Sequence, residues 1–572
     1  MVLETQSPTP TSANGSDEKV EKRAKTTSLL QEILSSDVLD REDSIRESYK
    51  TSKPYPHAQI HNLFQADFLS SVKDEIKSQT KVNFKESDLF RVYQSIDMAN
   101  VTPGSELAVQ LPHVMKLREV LYSQEWRSFI ERLAGLPPST LTDQIDCACN
   151  CHAPGCHLLC HDDVIGTRKI SYIIYLTEPD WLEEEGGSLE LYDVQEEDLA
   201  PSPIPTSRAW PIFNSMAFFV VQPGKSYHAV QEVIGDRPRL SLQGWYHAAD
   251  PPENIELATL QQLKKMRSEG EAKNQNLALV FDSDDGANSN YSEDDKTYLS
   301  KYLKPEYLND EAIDEIQQKF VNDSSVQLRN FLQDKWVPKM EPQKKCVYDD
   351  AYYKSGISAE WKLRGPAHKQ RFLEYQPDSQ SADDCQMIGS LLHHVKTHVF
   401  ESEQFARYLK RLTSLDRPTG VRSGQIRRFR PGLDYTVAHY GLLVDESVLD
   451  ATMCFVYDEN DENLVWESGD CGGFECYIEA DDEEEGKGAA DEYNEDDDTD
   501  LLSVSASNNT LSLVYRDPGT MRFVKYVGSS APSSRYDICM EYEVPPQPEG
   551  EEDDLEPVAE VEEEDTEPTD EN

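Results

Sequence analysis

A string of three residues, His161-Asp162-Asp163, followed at a distance by His228 and Arg239, limits this chain more than any other feature. On a strand, successive side chains alternate between faces, so a histidine and an aspartate two residues apart share a face. A second histidine from a distant strand then completes two imidazoles and a carboxylate on one side of a metal. That facial triad, His161, Asp163 and His228, leaves coordination positions open and suits non-haem Fe(II). Short patterns recur by chance, and the competing reading is a histidine and carboxylate in a satisfied surface network. The flanking segments favour the site. Residues 169–176 and 216–221 read as strands, the latter just ahead of Ser226-Tyr227-His228. Residues 239–245 alternate polar with apolar, which puts Arg239 and Ser241 on one face. The planar two-donor fork of an arginine there suits the far carboxylate of a dicarboxylic co-substrate, with Arg237 as the alternative partner.

Helical periodicity precedes these strands, over residues 62–72 and again over 113–133, where Pro137-Pro138 is expected to end it. Helices first and short antiparallel strands after is the order of a double-stranded β-helix, a jelly roll whose interior can hold a metal. Further along, a degenerate second copy is expected. Ser123-Gln124-Glu125-Trp126 and the helix it opens find an echo at Ser402-Glu403-Gln404-Phe405, and Pro154-Gly155 precedes His161 much as Pro431-Gly432 precedes His439. On that register Gly441 stands where Asp163 should be, and no histidine follows His439. The second copy is therefore expected to lack a metal and to serve as scaffold or docking surface. The fold class is mainly β with flanking helices (α+β), as two jelly-roll domains. Residues 1–50 are expected to be a disordered N-terminal region, with a short helix as the alternative over 28–39, 51–250 the catalytic domain and 251–300 a linker, with 282–295 its loop-like part. Residues 301–545 form the second domain with an acidic insert at 479–500, and 546–572 an acidic disordered tail.

The formal charge of -52 comes largely from runs, 479–485, 491–500 and 549–572, which repel and stay solvated. Direct nucleic-acid binding is not expected without a basic footprint. A basic protein is the natural complement. No secretory signal is expected from the polar start, and no stretch reaches the roughly 18 consecutive apolar residues of a membrane helix. Five of the eleven cysteines crowd into 147–160. They lack paired C-x-x-C knuckles, so buried reduced thiols are a simpler reading than zinc. Lys19, Lys22, Arg23 and Lys25 form a basic group that could serve nuclear import.

The stretch 156–171, centred on Cys160-His161-Asp162-Asp163-Val164, together with Arg239-Leu240-Ser241-Leu242-Gln243-Gly244-Trp245-Tyr246-His247, resembles the 2-oxoglutarate- and Fe(II)-dependent ribosomal-protein prolyl hydroxylases. These are fungal and animal enzymes that hydroxylate a proline in a small-subunit protein of the decoding centre. The resemblance spans most of residues 50–545, with specific motifs in the first half and loose ones in the second. It implies iron on His161, Asp163 and His228, and 2-oxoglutarate on Arg239 helped by Tyr175 and Ser241. It also implies O2 as co-substrate, ascorbate as reductant, a basic ribosomal protein as substrate, regulatory protein partners, and a nuclear and cytoplasmic location. An effect on translation termination and on oxygen-dependent regulation belongs to the same expectation. Where relatives carry a second tyrosine nine residues before the first metal histidine, this chain has His152. Nucleic-acid demethylases of the superfamily carry a second arginine where Trp245 stands. The rival readings are an acidic, non-catalytic adaptor or regulator for basic proteins, and a dioxygenase acting on another basic protein such as a histone.

Overall fold

The computed structural model describes residues 29–195, 200–259, 277–282, 290–343, 346–377, 387–459, 465–466, 471–480 and 500–545. The basic group at 19–25, most of the acidic insert and the acidic tail lie outside the described residues.

Among the described residues, twelve strands occupy the first half: β1 (His57–His61), β2 (Asn83–Glu86), β3 (Phe90–Gln94), β4 (Leu141–Ile145), β5 (Ala148–His152), β6 (His157–His161), β7 (Arg168–Tyr175), β8 (Leu189–Leu191), β9 (Ser207–Ala209), β10 (Ser215–Val220), β11 (His228–Val230) and β12 (Arg239–Ala248). They form one antiparallel sheet in the order β1-β10-β7-β12-β5-β3-β6-β11-β8-β9, with β2 on β3 and β4 on β12. Alternation decides the two faces. Tyr172, Ile174, Met216, Phe218, Leu240 and Leu242 face outward into a core shared with the helices, among them Trp126, Phe129 and Leu133. Ile173, Tyr175, Ala217 and Phe219 face inward, against Leu189, Leu191 and Ala209 from the far end of the sheet. The sheet thus curls over itself into a jelly roll, and the odd-numbered residues of β12, Arg239 and Ser241 first, share its interior with Tyr175.

The helical pattern at 62–72 lies one turn too early, since the helix is Ala66–Gln79. The pattern at 113–133 is two helices, Pro112–Leu121 and Gln124–Ala134. Ser123 separates them because its side chain accepts from Trp126 N and caps the second. That helix ends at Gly135, in the left-handed region, ahead of the prolines.

The second half carries β13 (Leu279–Val280), β14 (Ser325–Arg329), β15 (Trp361–Arg364), β16 (Gln370–Tyr375), β17 (Gly420–Phe429), β18 (Tyr435–Thr436), β19 (Val448–Phe455), β20 (Glu475–Glu479), β21 (Asp500–Val504), β22 (Thr510–Arg516), β23 (Thr520–Val524) and β24 (Arg535–Glu543). Its main sheet runs β14-β22-β19-β24-β17-β16-β15, beside a three-stranded β21-β20-β23. The run β14-β22-β19-β24-β17 repeats the run β1-β10-β7-β12-β5. Details repeat as well. Asn214, at positive φ before β10, clamps Phe64 with both side-chain atoms. Asn509, also at positive φ, clamps Leu332 in the same way before β22. Ser123 and Ser402 cap the corresponding helices.

The end of the expected disordered region and part of the expected linker are structured: Leu29–Ile33 and Glu42–Thr51 are helices, and Leu30, Ile33, Val38 and Tyr49 are buried in the first core. Leu279–Val280 pairs with β17, and the helix Glu293–Leu299, capped by Ser292, buries Leu299 in the second core. The end of the expected loop at 282–295 thus already belongs to that helix, because Ser292 and Asp295 cap each other reciprocally. The register at His439 also needs correction. Gly155 N donates to Val233 O and Gly432 N to Val527 O, which aligns the two glycines and the two valines. Counting from these, the positions of His161, Asp163 and His228 fall on Ala438, Tyr440 and Arg522, so His439 stands one residue out of step.

Candidate functional site

The triad residues meet inside the first jelly roll. β6 ends at His161, and β11, which starts at His228, is paired to it with the two histidines opposite each other. Asp163 does not reach them by strand alternation. It lies just past the end of β6 at φ 63°, a left-handed conformation that aspartate tolerates better than most residues. Its carboxylate sits 3.1 Å from His161 Nε2 and 3.3 Å from His228 Nε2. Both Nδ1 atoms lie 2.8 Å from carbonyl oxygens, of Leu159 and Ser226. A carbonyl only accepts, so each Nδ1 carries the proton in the neutral ring, and each Nε2 lone pair faces a carboxylate oxygen. Electron pairs so opposed call for a cation between them. Burial would lower the His161 imidazole and raise the Asp163 carboxyl. Their contact outweighs it, holding His161 above its ordinary value and Asp163, which also faces His228, well below the carboxylate range. Among the described residues this is the one group of His, Cys, Asp or Glu side chains with three ligand atoms within 4.8 Å of one another.

Deeper in the barrel, Arg239 is fully buried. Its Nη1 lies 3.4 Å from His152 Nδ1, and its guanidinium lies over the Tyr175 ring, 5.1 Å from the centroid. Arg239 Nε and Nη2, Tyr175 Oη and Ser241 Oγ are all buried without a hydrogen-bond partner. A buried cation and two hydroxyls left unpaired are costly, and together they form a cradle for a carboxylate. Gly187 makes room for the arginine, because a Cβ there would come within 2.8 Å of Arg239 Cδ. Burial and the neighbouring Arg239 charge push the His152 imidazole well below its ordinary value. It stays neutral, accepts at Nδ1 and keeps Nε2–H as a donor. The donor set therefore fits both a divalent metal and a dicarboxylate. Arg237 is otherwise engaged, with Nε 2.7 Å from Glu185 and Nη1 2.6 Å from Asp180 near the surface.

The cavity beside the triad has a volume of about 410 Å³, and His152, His161, Asp163 and His228 all line it. Trp245 closes one side and donates from Nε1 to Asp163 Oδ2 at 2.9 Å, orienting the carboxylate. Sequence reasoning missed this role, although the alternation of β12 puts Trp245 on the face of Arg239 and Ser241. Asp162 was missed as well. It is buried, accepts from Gly224 N and Thr259 N, and with Ser226 Oγ on its own carbonyl ties down the loop that leads into His228. Cys147 and Cys149 are buried with free thiols, and Cys151 packs against the same helix-facing core.

In the second jelly roll the equivalent interior is filled by ion pairs. Strand registers match Leu242 to Ile538, so Arg535 corresponds to Arg239 and Asp537 to Ser241. Arg535 Nη1 is bonded to Asp537, and Arg427 grips the same carboxylate at 2.8 and 3.0 Å. Arg522, in the place of His228, pairs with Asp450 and Glu475.

Comparison with known proteins agrees with this geometry. Residues 147–247 match the model of the 2OG-Fe(II) oxygenase superfamily, and residues 294–552 match that of the oxoglutarate and iron-dependent oxygenase degradation C-term family. The chain is 38% identical to the prolyl 3,4-dihydroxylase OGFOD1 of Ostreococcus tauri, covering 86% of this chain and 95% of that protein. It is 28% identical to the prolyl 3-hydroxylase OGFOD1 of Xenopus laevis, over 91% of this chain and 94% of the relative. The Mus musculus prolyl 3-hydroxylase OGFOD1 is 27% identical, over 83% and 84%. The chain belongs to the OGFOD1 family of 2-oxoglutarate- and Fe(II)-dependent oxygenases, enzymes that work with Fe(II), 2-oxoglutarate and O2.

Proposed function

We propose that this chain hydroxylates a prolyl residue of a small-subunit ribosomal protein, with Fe(II) held by His161, Asp163 and His228 and 2-oxoglutarate anchored on Arg239. The observation that carries the reading is the buried guanidinium of Arg239, with Nε and Nη2 unpaired, in the same barrel interior as the triad. Prolyl chemistry is supported by the names of the relatives. A ribosomal substrate is supported by the sequence resemblance and by the charge of -52, which suits a basic protein.

When bound, Fe(II) with 2-oxoglutarate and O2 supplies oxidative decarboxylation to succinate and CO2 coupled to oxygen insertion into a C–H bond. The chain's own residues hold and shield. His161 and His228 present bare Nε2 atoms because Leu159 and Ser226 carbonyls fix the opposite tautomer edge. Trp245 orients the Asp163 carboxylate. Arg239 neutralises the distal carboxylate of the co-substrate, with Tyr175 and Ser241 donating to it and His152 Nε2–H available beside them. Ile173 in the cavity wall and Phe219, whose ring centroid lies 4.7 Å from that of His228, put apolar surface beside the centre. Ascorbate as reductant, a nuclear and cytoplasmic location, regulatory protein partners and an effect on translation termination and oxygen response belong to the same proposal. So do the second unit as a metal-free scaffold and the acidic runs as contacts for basic partners.

The test is anaerobic loading with Fe(II) and 2-oxoglutarate, admission of air, and mass spectrometry of a small-subunit ribosomal protein, with His161→Ala as control. A proline gaining oxygen, with matching succinate and neither in the control, is expected. Succinate without substrate oxidation would remove the ribosomal assignment. A His161→Ala variant that retains the biological effect would favour the acidic adaptor reading.

A further inference from the structure

The second unit touches the cavity of the first. Val437 and Ala438, which follow β18, line it together with Asp88, Phe90 and Val92 of the β2–β3 hairpin. The hairpin is otherwise weakly held on its outer side, since β2 pairs with β3 alone and alternates exposed with half-buried residues. Three contacts join its tip to the second unit. Lys525 Nζ lies 3.0 Å from Glu86 Oε1. Ala438 N donates to Asp88 Oδ2 at 3.2 Å. Leu89 packs against a cluster of Leu159, Tyr435, Val437 and Tyr526, of which all but Leu159 belong to the second unit. An ion pair, a backbone hydrogen bond and an apolar contact thus converge on the short stretch from Glu86 to Leu89.

We propose that the second unit is part of the substrate site: residues 437–438 form one wall of the cleft and, with Lys525, hold the β2–β3 hairpin that forms the facing wall around a proline-bearing peptide segment. This rests on the prolyl reading given above. It explains in physical terms why a jelly roll whose own interior is closed by Arg535–Asp537 and Arg522–Glu475 pairs is joined to the catalytic one. Its contribution is the outer face, at the segment that stands in the positions of the metal ligands. Ala438, in register with His161, abuts the working cleft from outside.

The test uses the full chain, a synthetic proline peptide from the small-subunit protein, and two readouts. Ala438→Trp fills the cleft and is expected to raise the peptide KM by about tenfold or more, while kcat changes little and the charge-transfer absorption of the anaerobic Fe(II)–2-oxoglutarate complex is retained. Lys525→Glu sets like charges against Glu86 and is expected to speed hydrogen exchange at 84–92 and to raise KM by about threefold. The paired exchange Glu86→Lys with Lys525→Glu is expected to restore both. An unchanged peptide KM in Ala438→Trp, unchanged hairpin exchange in Lys525→Glu, or no recovery in the paired variant overturns the proposal. A wild-type chain that oxidises no proline sinks the prolyl reading instead, while the exchange measurement still decides whether the second unit holds the hairpin.

Discussion

Arg239 and Arg237 are two residues apart, and only their surroundings separate their roles. Arg237 is saturated by Glu185 and Asp180, whereas Arg239 is buried with two nitrogens unpaired. Removing a buried charge partner typically costs about 2–5 kcal/mol, so Arg239→Ala is expected to weaken 2-oxoglutarate binding by about 100-fold while changing Fe(II) affinity far less. Arg237→Ala is expected to leave co-substrate binding within about twofold. Anaerobic titration of each variant with Fe(II) and then 2-oxoglutarate separates the two effects, and equal losses in both variants would refute the assignment. Trp245 acts one step further out. Trp245→Phe keeps the ring stacked beside Arg168 but removes the donor to Asp163. A loss of about tenfold in Fe(II) affinity is expected, readable by competition with a chelator; unchanged affinity would deny Trp245 a part in orienting the carboxylate.

At the scale of elements, the paired asparagines Asn214 and Asn509 show how one local device is used twice. Each occupies a left-handed turn and each satisfies both backbone groups of a buried residue, Phe64 or Leu332. Alanine would strand two buried backbone groups and force a Cβ residue without a compensating bond into positive φ. Asn214→Ala and Asn509→Ala are each expected to cost about 3 kcal/mol, measured by denaturant unfolding of the full chain. A loss below about 0.5 kcal/mol in either would mean the clamp does not hold that sheet to its helices. Neither clamp is visible as a motif, because its partner lies 150 or 177 residues away.

For the whole molecule, the closed interior of the second jelly roll carries a consequence for acid stability. Burial alone would raise Glu475, but Arg522, Arg535 and Arg427 overcome it and hold the carboxyl at about 2 against an ordinary 4.5. Between those values the folded state binds fewer protons than the unfolded one. The stabilisation is therefore complete above pH 4.5 and is lost as pH falls toward 2. A shift of this size corresponds to about 3 kcal/mol. Unfolding of the second unit followed from about pH 6 to about pH 2.5 is expected to show that loss. In Glu475→Gln the pH dependence should be flatter, and an equally steep profile would exclude Glu475 as its source.

The jelly-roll class was legible in the chain itself through a strand's period of two, and the grouping of His161, Asp163 and His228 through residue type, although a turn and not alternation carries Asp163 to the histidines. The repeat was legible too, through the Ser-capped helix at 123 and its echo at 402. Register was legible only in part. Counting from the Pro-Gly pairs already puts Ala438 opposite His161, and the hydrogen bonds of Gly155 and Gly432 fix that alignment. The left-handed turn that swings Asp163 onto His161 leaves no periodic signal, because it is set by the φ of a single residue. Only the tertiary structure decided which arginine is free, that Trp245 reaches Asp163, and that Val437 and Ala438 border the first unit's cavity. Each depends on which distant side chains arrive to satisfy a charge or leave it bare, and pairing across hundreds of residues leaves no periodic trace in the sequence.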